Sequence, residues 1–85
     1  MRRPVTYAAR LAAAAGKDLT LQEREVLQLY GCGFTARHIG LRLYLATSTV
    51  ESRFESARQK LRVHTTTEAV AIALDAGLIP VEVAR

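Results

Sequence analysis

Cysteine is almost absent from this 85-residue chain, in which Cys32 is the single example. One cysteine allows neither an internal disulfide nor a cysteine zinc site, which fits a reducing cytoplasm. Long apolar runs are missing too, since uncharged stretches fall far short of the ~20 residues that span a membrane. Arg2-Arg3-Pro4 leads into alanines rather than into the apolar core of a signal peptide. We therefore expect a cytoplasmic protein with no membrane partner.

The residue groups that carry catalysis are lacking as well. No paired carboxylates, activated nucleophile, phosphate-binding loop or metal cluster can be assembled from this sequence. His38 and His64 are too isolated in the sequence for a metal site. We expect no enzyme, no cofactor and no metal, although 49% apolar residues suffice for one modest core.

Basic residues are present in excess, and they fall into two blocks. The net charge is +4. Residues 1–17 hold four cations and no acid, and residues 35–64 hold six cations against Glu51 and Glu55. Such blocks on a small domain indicate a polyanionic partner. Charge alone leaves open the alternative that these are ordinary solvated helix faces.

Helix signals divide the chain into short segments. Residues 5–15 are strong helix formers that end at Gly16, which predicts an N-terminal helix. Thr20 and Glu23 form a capping box that opens the next helix, and Thr35 caps the one after it. We also expect Cys32 to be buried, and the aromatic residues to lie in the core, namely Tyr30, Phe34, Tyr44 and Phe54.

A longer basic helix follows, beginning near Thr47 or Ser48. Ser48 and Glu51 form a candidate capping box for it. Gly40 in the preceding helix costs about 1 kcal/mol against alanine, which predicts close approach of another helix there. The basic helix carries a narrow apolar stripe with spacing 4, 3, 4, formed by Val50, Phe54, Ala57 and Leu61.

The last predicted helix is capped by Thr65 or Thr66, with Glu68 as the candidate reciprocal partner, and is apolar nearly all round. One face packs on the domain, and a second apolar face needs another surface. A homodimer contact is one reading, and packing beneath residues 5–15 of the same chain is the other. The residues assigned to the dimer contact are Val70, Ile72, Ala73 and Leu74.

A series of short motifs occurs along the chain in a fixed order: Leu19-Thr20, Arg24-Glu25-Val26-Leu27, Gly33-Phe34-Thr35, Ile39-Gly40, Thr49-Val50, Lys60-Leu61, Glu68-Ala69-Val70-Ala71 and Gly77-Leu78-Ile79. In its order and spacing this series resembles the LuxR-type (GerE-like) helix-turn-helix domain of bacterial transcription regulators. The resemblance covers residues 19–79. It implies an all-α, four-helix domain whose third helix enters the DNA major groove and whose fourth commonly mediates dimerisation. Residues 1–18 would add a basic, alanine-rich helix or arm, and residues 80–85 a tail.

Two departures from that family have structural consequences. Ala46 stands where the family has a serine before the recognition helix, and losing such a cap costs about 1 kcal/mol unless Thr47 or Ser48 replaces it. Arg62 replaces a glycine, so it must adopt a strained backbone conformation or lengthen the helix.

Residues 49–62 also resemble region 4 of sigma factors, which reads promoter DNA while bound to RNA polymerase. Two features favour the LuxR type over this alternative. The interval from Arg24 to Gly33 is one residue shorter than in most sigma factors. A fourth helix also follows the basic one, where sigma region 4 usually ends.

Two separate sets of DNA-contacting residues are predicted, one for phosphates and one for bases. Arg37 matches the family's basic residue that touches backbone phosphate. The full set predicted to contact phosphate is Thr35, Arg37, Thr49, Arg53, Arg58 and Lys60. The base-reading set corresponds to Glu51, Ser52 and Glu55, with Ser56 nearby. The cations could instead be ordinary surface residues, Glu51 a helix cap and Glu55 a partner of Arg58 or Gln59.

These observations favour a sequence-specific, DNA-binding transcription regulator that acts as a homodimer in a bacterium or as a phage product in a bacterial host. Two copies related by a two-fold axis would read a pseudo-palindrome. The alternative is a protein-interaction module that binds RNA polymerase, or a decoy that binds a larger regulator.

Overall fold

The computed structural model describes residues 18–80, which form four α-helices: α1 (Leu21–Gly31), α2 (Ala36–Leu43), α3 (Thr47–Leu61) and α4 (Thr66–Asp75). The predicted all-α class is confirmed for this part of the chain. The predicted helix over residues 5–15, the Arg2-Arg3 arm and most of the tail lie outside the described residues. None of the four helices is long and apolar enough to cross a bilayer.

Helix α3 is the longest of the four and, like α1, packs against each of the other three. Its apolar stripe is buried as predicted, with Val50 and Ala57 0% exposed and Phe54 and Leu61 nearly so. The ring of Tyr30 meets that of Phe54 edge-on, with centroids 5.3 Å apart. Aromatic pairs of this geometry contribute about 1 kcal/mol beyond area burial. The core therefore fixes which side of α3 remains outside.

Three helices begin with the side-chain caps that the sequence predicts. The Thr20 hydroxyl accepts from the Glu23 amide at 3.1 Å, and the Thr20 amide donates to the Glu23 carboxylate at 2.9 Å. Thr65 and Glu68 form the same box at α4. Hydrogen bonds from the Thr65 hydroxyl, and from the His64 and Thr65 amides, lower the pKa of Glu68. Thr35 caps α2 through the His38 amide.

The start of α3 differs from the prediction. Its N-cap is Ala46, which offers no side-chain hydrogen bond, and the capping box predicted between Ser48 and Glu51 does not form. Neither Thr47 nor Ser48 takes over, because both already lie inside the helix. The amides of its first turn are therefore left without the side-chain acceptor that the other three helices have.

Two residues other than glycine adopt left-handed backbone conformations, Tyr44 and Arg62, each with φ of 59°. The strain predicted for Arg62 is therefore confirmed, and such positions cost on the order of 1 kcal/mol. The prediction that Tyr44 lies in the core is wrong, since it is 94% exposed. The left-handed turn at the end of α2 takes Tyr44 off the buried face that Ile39 and Leu43 share.

Gly40 is required where α2 turns into α3. A Cβ atom there would lie 2.5 Å from the carbonyl oxygen of Leu45. The Leu45 amide in turn donates to the Gly40 carbonyl at 2.8 Å. The predicted close approach is confirmed, but the approaching group is the backbone of the turn rather than another helix.

A buried carboxylate fastens α3 to the beginning of α1. The Glu23 side chain is 7% exposed and accepts from the Ser56 hydroxyl at 2.6 Å and from the Lys60 ammonium at 2.9 Å. Lys60 also donates to the carbonyl of Asp18 at 2.5 Å. Burial by itself would raise the pKa of Glu23, but the hydrogen bonds from Ser56, Lys60 and the Thr20 amide together lower it.

We expect Glu23→Gln to destabilise the fold by about 2 kcal/mol at neutral pH, because it leaves the Lys60 ammonium without its charged partner. The depressed pKa of Glu23 stabilises the fold above the unfolded-state pKa of about 4.3, and this contribution is lost as pH falls through the folded-state value. The difference in the free energy of unfolding between wild type and variant, measured by urea denaturation, should therefore become smaller in acid. A difference that stays constant down to about pH 3 would contradict the assignment.

We also expect Ala46→Ser to stabilise the protein by about 1 kcal/mol, since serine can accept from the first-turn amides of α3. Ala71→Ser, at an exposed position inside α4, is the matched control and should be slightly destabilising. Urea denaturation followed by circular dichroism measures both. Equal effects of the two serines would show that no cap had formed.

Candidate nucleic-acid interface

The side of α3 opposite its buried stripe is exposed within the part of the chain that the structure describes. Ser48, Ser52, Glu55 and Gln59 are exposed, and they repeat the 4, 3, 4 spacing of the core stripe on the other side of the helix. Glu51 is exposed beside them. We call these five residues the outward face of α3. Ser48 and Gln59 were absent from the predicted base-reading set, although continuing the helical spacing from Ser52 and Glu55 would have found them.

An open groove runs along this outward face and brings other helix ends to it. Its lining includes Ser48, Ser52 and Glu55, together with Ala36 of α2 and Thr66 of α4. The N-terminal ends of α2 and α4 therefore flank the outward face. Thr35 and Arg37, the neighbours of Ala36, are both exposed at that end. The partial positive charge and amide donors at helix N-termini favour anions there.

The cations of α3 lie at its edges rather than on its outward face. Arg58 lines the groove and donates from Nη1 to the Thr66 hydroxyl at 2.8 Å, which ties it to the start of α4. Arg53 is half-buried on the opposite flank and makes no ion pair with the residues of the 18–80 segment. Thr49 is half-buried on that same flank, four residues before Arg53.

The structure places two predicted residues in another environment. Ser56 and Lys60 both bond to the Glu23 carboxylate on the side of α3 that faces α1. The assignment of Ser56 to base reading and of Lys60 to phosphate is therefore corrected, because their polar groups are engaged inside the protein. Sequence spacing within α3 could not reveal this, since their partner lies 33 and 37 residues away.

The two carboxylates of the outward face have no partner among residues 18–80. Glu51 does not cap α3, whose N-cap makes no side-chain bond. Glu55 forms neither of the bonds considered for it, because Arg58 bonds to Thr66 instead and Gln59 makes no side-chain bond to it. Neither the helix cap considered for Glu51 nor the side-chain bond considered for Glu55 is therefore present among residues 18–80. Both acids remain available as hydrogen-bond acceptors facing the groove.

Helix α4 offers less apolar surface than predicted. Val70 and Ala73 are buried in the core of their own chain, so assigning them to a dimer contact is wrong. Ile72 and Leu74 are half-buried and remain candidates. The exposed side of α4 carries polar residues around Ala71, namely Thr67, Glu68 and Asp75.

Leu74 borders a small crevice between α1 and α4, which Cys32 and Pro80 also line. Cys32 is half-buried rather than fully buried as expected. Within residues 18–80, no three side chains of the histidine, cysteine, aspartate or glutamate type come together in a group that could hold a metal ion.

Known proteins share this sequence pattern. The family model for bacterial regulatory proteins of the luxR family matches residues 17–73, which is more than half of the chain. An uncharacterized transcriptional regulatory protein of Bacillus subtilis (strain 168), YvfU, is 41% identical over 61 residues, covering 72% of this chain and 30% of that protein. The transcriptional regulatory protein DegU of Brevibacillus brevis is 38% identical over 63 residues, covering 74% and 27%.

The matched segment thus spans less than a third of either relative. The family model covers α1, α2 and α3 completely and most of α4, including the extra helix that set this chain apart from sigma region 4. On the family match and the arrangement of its helices, this chain belongs to the luxR family of bacterial regulatory proteins.

Proposed function

We propose that this protein binds double-stranded DNA sequence-specifically, with α3 in the major groove, and thereby regulates transcription in the bacterial cytoplasm. The observation that carries the proposal is the open outward face of α3, flanked by the N-terminal ends of α2 and α4. A major groove about 12 Å wide admits one α-helix. The family match and the names of the two relatives support the same function.

Phosphate contacts in this proposal come from the elements around α3. Arg37 and Thr35 lie at the start of α2, where an arginine and free amides can hold one phosphate. Arg58 on the opposite edge of the groove, and Arg53 and Thr49 on the far flank, would contact others. Lys60 is left out because Glu23 already binds its ammonium.

Base reading in this proposal comes from an outward face without any cation. An arginine or lysine that would pair with guanine O6 and N7 is missing there. Glu51 and Glu55 can instead accept hydrogen bonds from the N4 amino group of cytosine, while Ser48, Ser52 and Gln59 supply neutral donors and acceptors. Because phosphates repel the two carboxylates, Glu51 and Glu55 lower the affinity for every DNA sequence. The loss is compensated only where a base places a hydrogen-bond donor against a carboxylate.

We further propose that two copies bind a pseudo-palindromic site. A single α3 presents few base contacts, and a two-fold axis doubles them. The half-buried Ile72 and Leu74 of α4 are the residues of the described chain that would take part in the contact. Because the exposed side of α4 is largely polar, such a dimer would be weak without DNA.

We expect Arg37→Ala to weaken binding to all duplexes and to lower the slope of log affinity against log salt by about 0.9, the value for one lost phosphate contact. Fluorescence anisotropy on labelled random duplex at several salt concentrations measures the slope. Arg42→Ala is the matched control, because it removes the same charge from the exposed far end of the same helix. Equal slopes for both variants would reject the assigned role of Arg37.

We expect Glu55→Ala to bind random DNA more tightly but to discriminate its preferred site about tenfold less well, because one base contact is lost together with a repulsive charge. Selection from a random duplex library, followed by competition binding, measures both quantities. Glu25→Ala removes the same charge from an exposed position on α1 and should leave the selected motif unchanged. An unaltered motif for Glu55→Ala would exclude it from base reading.

A further inference from the structure

Two large apolar side chains stand in solvent at the C-terminal half of α2. Leu41 is 67% exposed and Tyr44 is 94% exposed, and the two lie three positions apart. Tyr44 also occupies a left-handed backbone conformation that asparagine or glycine would adopt with less strain. Neither the core nor the outward face of α3 accounts for a strained, exposed tyrosine beside an exposed leucine.

The segment of the chain that carries these side chains is basic. Residues 26–50 contain no aspartate or glutamate, whereas His38 and Arg42 are exposed on α2 with Leu41. The Arg42 guanidinium lies 4.7 Å from the centre of the Phe34 ring, a cation–π contact that holds it in place. We define the α2 patch as Leu41, Tyr44, Arg42 and His38. It combines two apolar anchors with positive charge and no acid.

These properties select among the occupants that the α2 patch could take. A second copy of the patch, paired across a two-fold axis, would bring arginine against arginine. Residues 1–17 of the same chain carry four cations and no acid, so they are repelled as well. A DNA phosphate would pair with Arg42 but would gain nothing from the leucine and would leave most of the tyrosine ring unused.

We propose that the α2 patch docks an acidic, amphipathic segment of another protein, with Leu41 and Tyr44 as apolar anchors and Arg42 as the charged partner of a carboxylate. Exposed aromatic and arginine side chains are the residue types that dominate binding energy at protein interfaces. Tyr44 lies about 12 Å along the chain axis of α2 from Ala36, which borders the groove of α3. The α2 patch is therefore centred on the end of α2 away from Ala36.

The test is a phage-displayed library of random peptides panned on the immobilised full-length chain. Tyr44→Asn removes the ring and suits the left-handed backbone, and Leu41→Gln keeps the helix, so both variants should fold. Leu21→Gln is the control, because Leu21 on α1 is likewise exposed, at 78%. We expect selected peptides to combine acidic and large apolar residues, and to lose about tenfold or more in affinity for either α2 variant but not for the control.

Three results would overturn the proposal. The first is a library that yields no peptide sensitive to Leu41→Gln or Tyr44→Asn. The second is a loss of affinity for random duplex DNA in Tyr44→Asn, which would assign the α2 patch to the nucleic acid. The third is a change of oligomeric state in either variant, measured by analytical ultracentrifugation, which would assign it to a second copy. Peptide binding is measured in the absence of DNA, so the docking proposal can fail or succeed independently of the DNA-binding proposal.

Discussion

The hydrogen bonds that the Glu23 carboxylate accepts from Ser56 and Lys60 hold α3 against the beginning of α1. One side chain closes the capping box of α1 and, with its remaining lone pairs, accepts from Ser56 and Lys60. Burial of a carboxylate is unfavourable unless hydrogen bonds and an opposite charge compensate it, and here both are present. Because the cap orients the carboxylate, and the carboxylate orients α3, the start of the first helix sets the rotation of the third.

That rotation divides the surface of α3 into sides with different roles. The stripe of Val50, Phe54, Ala57 and Leu61 lies in the core. One flank is tied to α1 through Lys60, and the other is tied to the start of α4 through Arg58 and Thr66. What remains is a narrow outward face of two serines, two glutamates and one glutamine. Since three sides are already committed, α3 cannot roll to present a different set of residues without breaking these contacts.

The sequence was sufficient to predict features that depend on neighbours within one helix. The capping boxes at Thr20 and Thr65 and the buried stripe of α3 follow from local spacing, and the strain at Arg62 follows from the glycine that the resemblance implies there; the structure confirms these features. The box predicted between Ser48 and Glu51 does not form. Features that depend on distant partners were predicted wrongly, including the roles of Ser56 and Lys60 and the exposure of Val70. Tyr44 failed for a third reason, because its burial was expected from its aromatic side chain alone, whereas it lies exposed at the left-handed end of α2.

The distribution of charge around α3 has a consequence for how affinity and selectivity would be divided in the proposed complex. Lys60 is paired with the Glu23 carboxylate, whereas Arg58 donates only to the neutral Thr66 hydroxyl and keeps its charge, and the two acids of α3 point outward. Among residues 18–80, long-range attraction to a polyanion in the proposed complex therefore arises from Arg37 and the helix N-termini, and from Arg53 and Arg58 at the edges of α3. The carboxylates of the outward face repel DNA phosphates, and only a base with a correctly placed hydrogen-bond donor compensates that repulsion. Selectivity would therefore arise at this face because bases without such a donor bind less well.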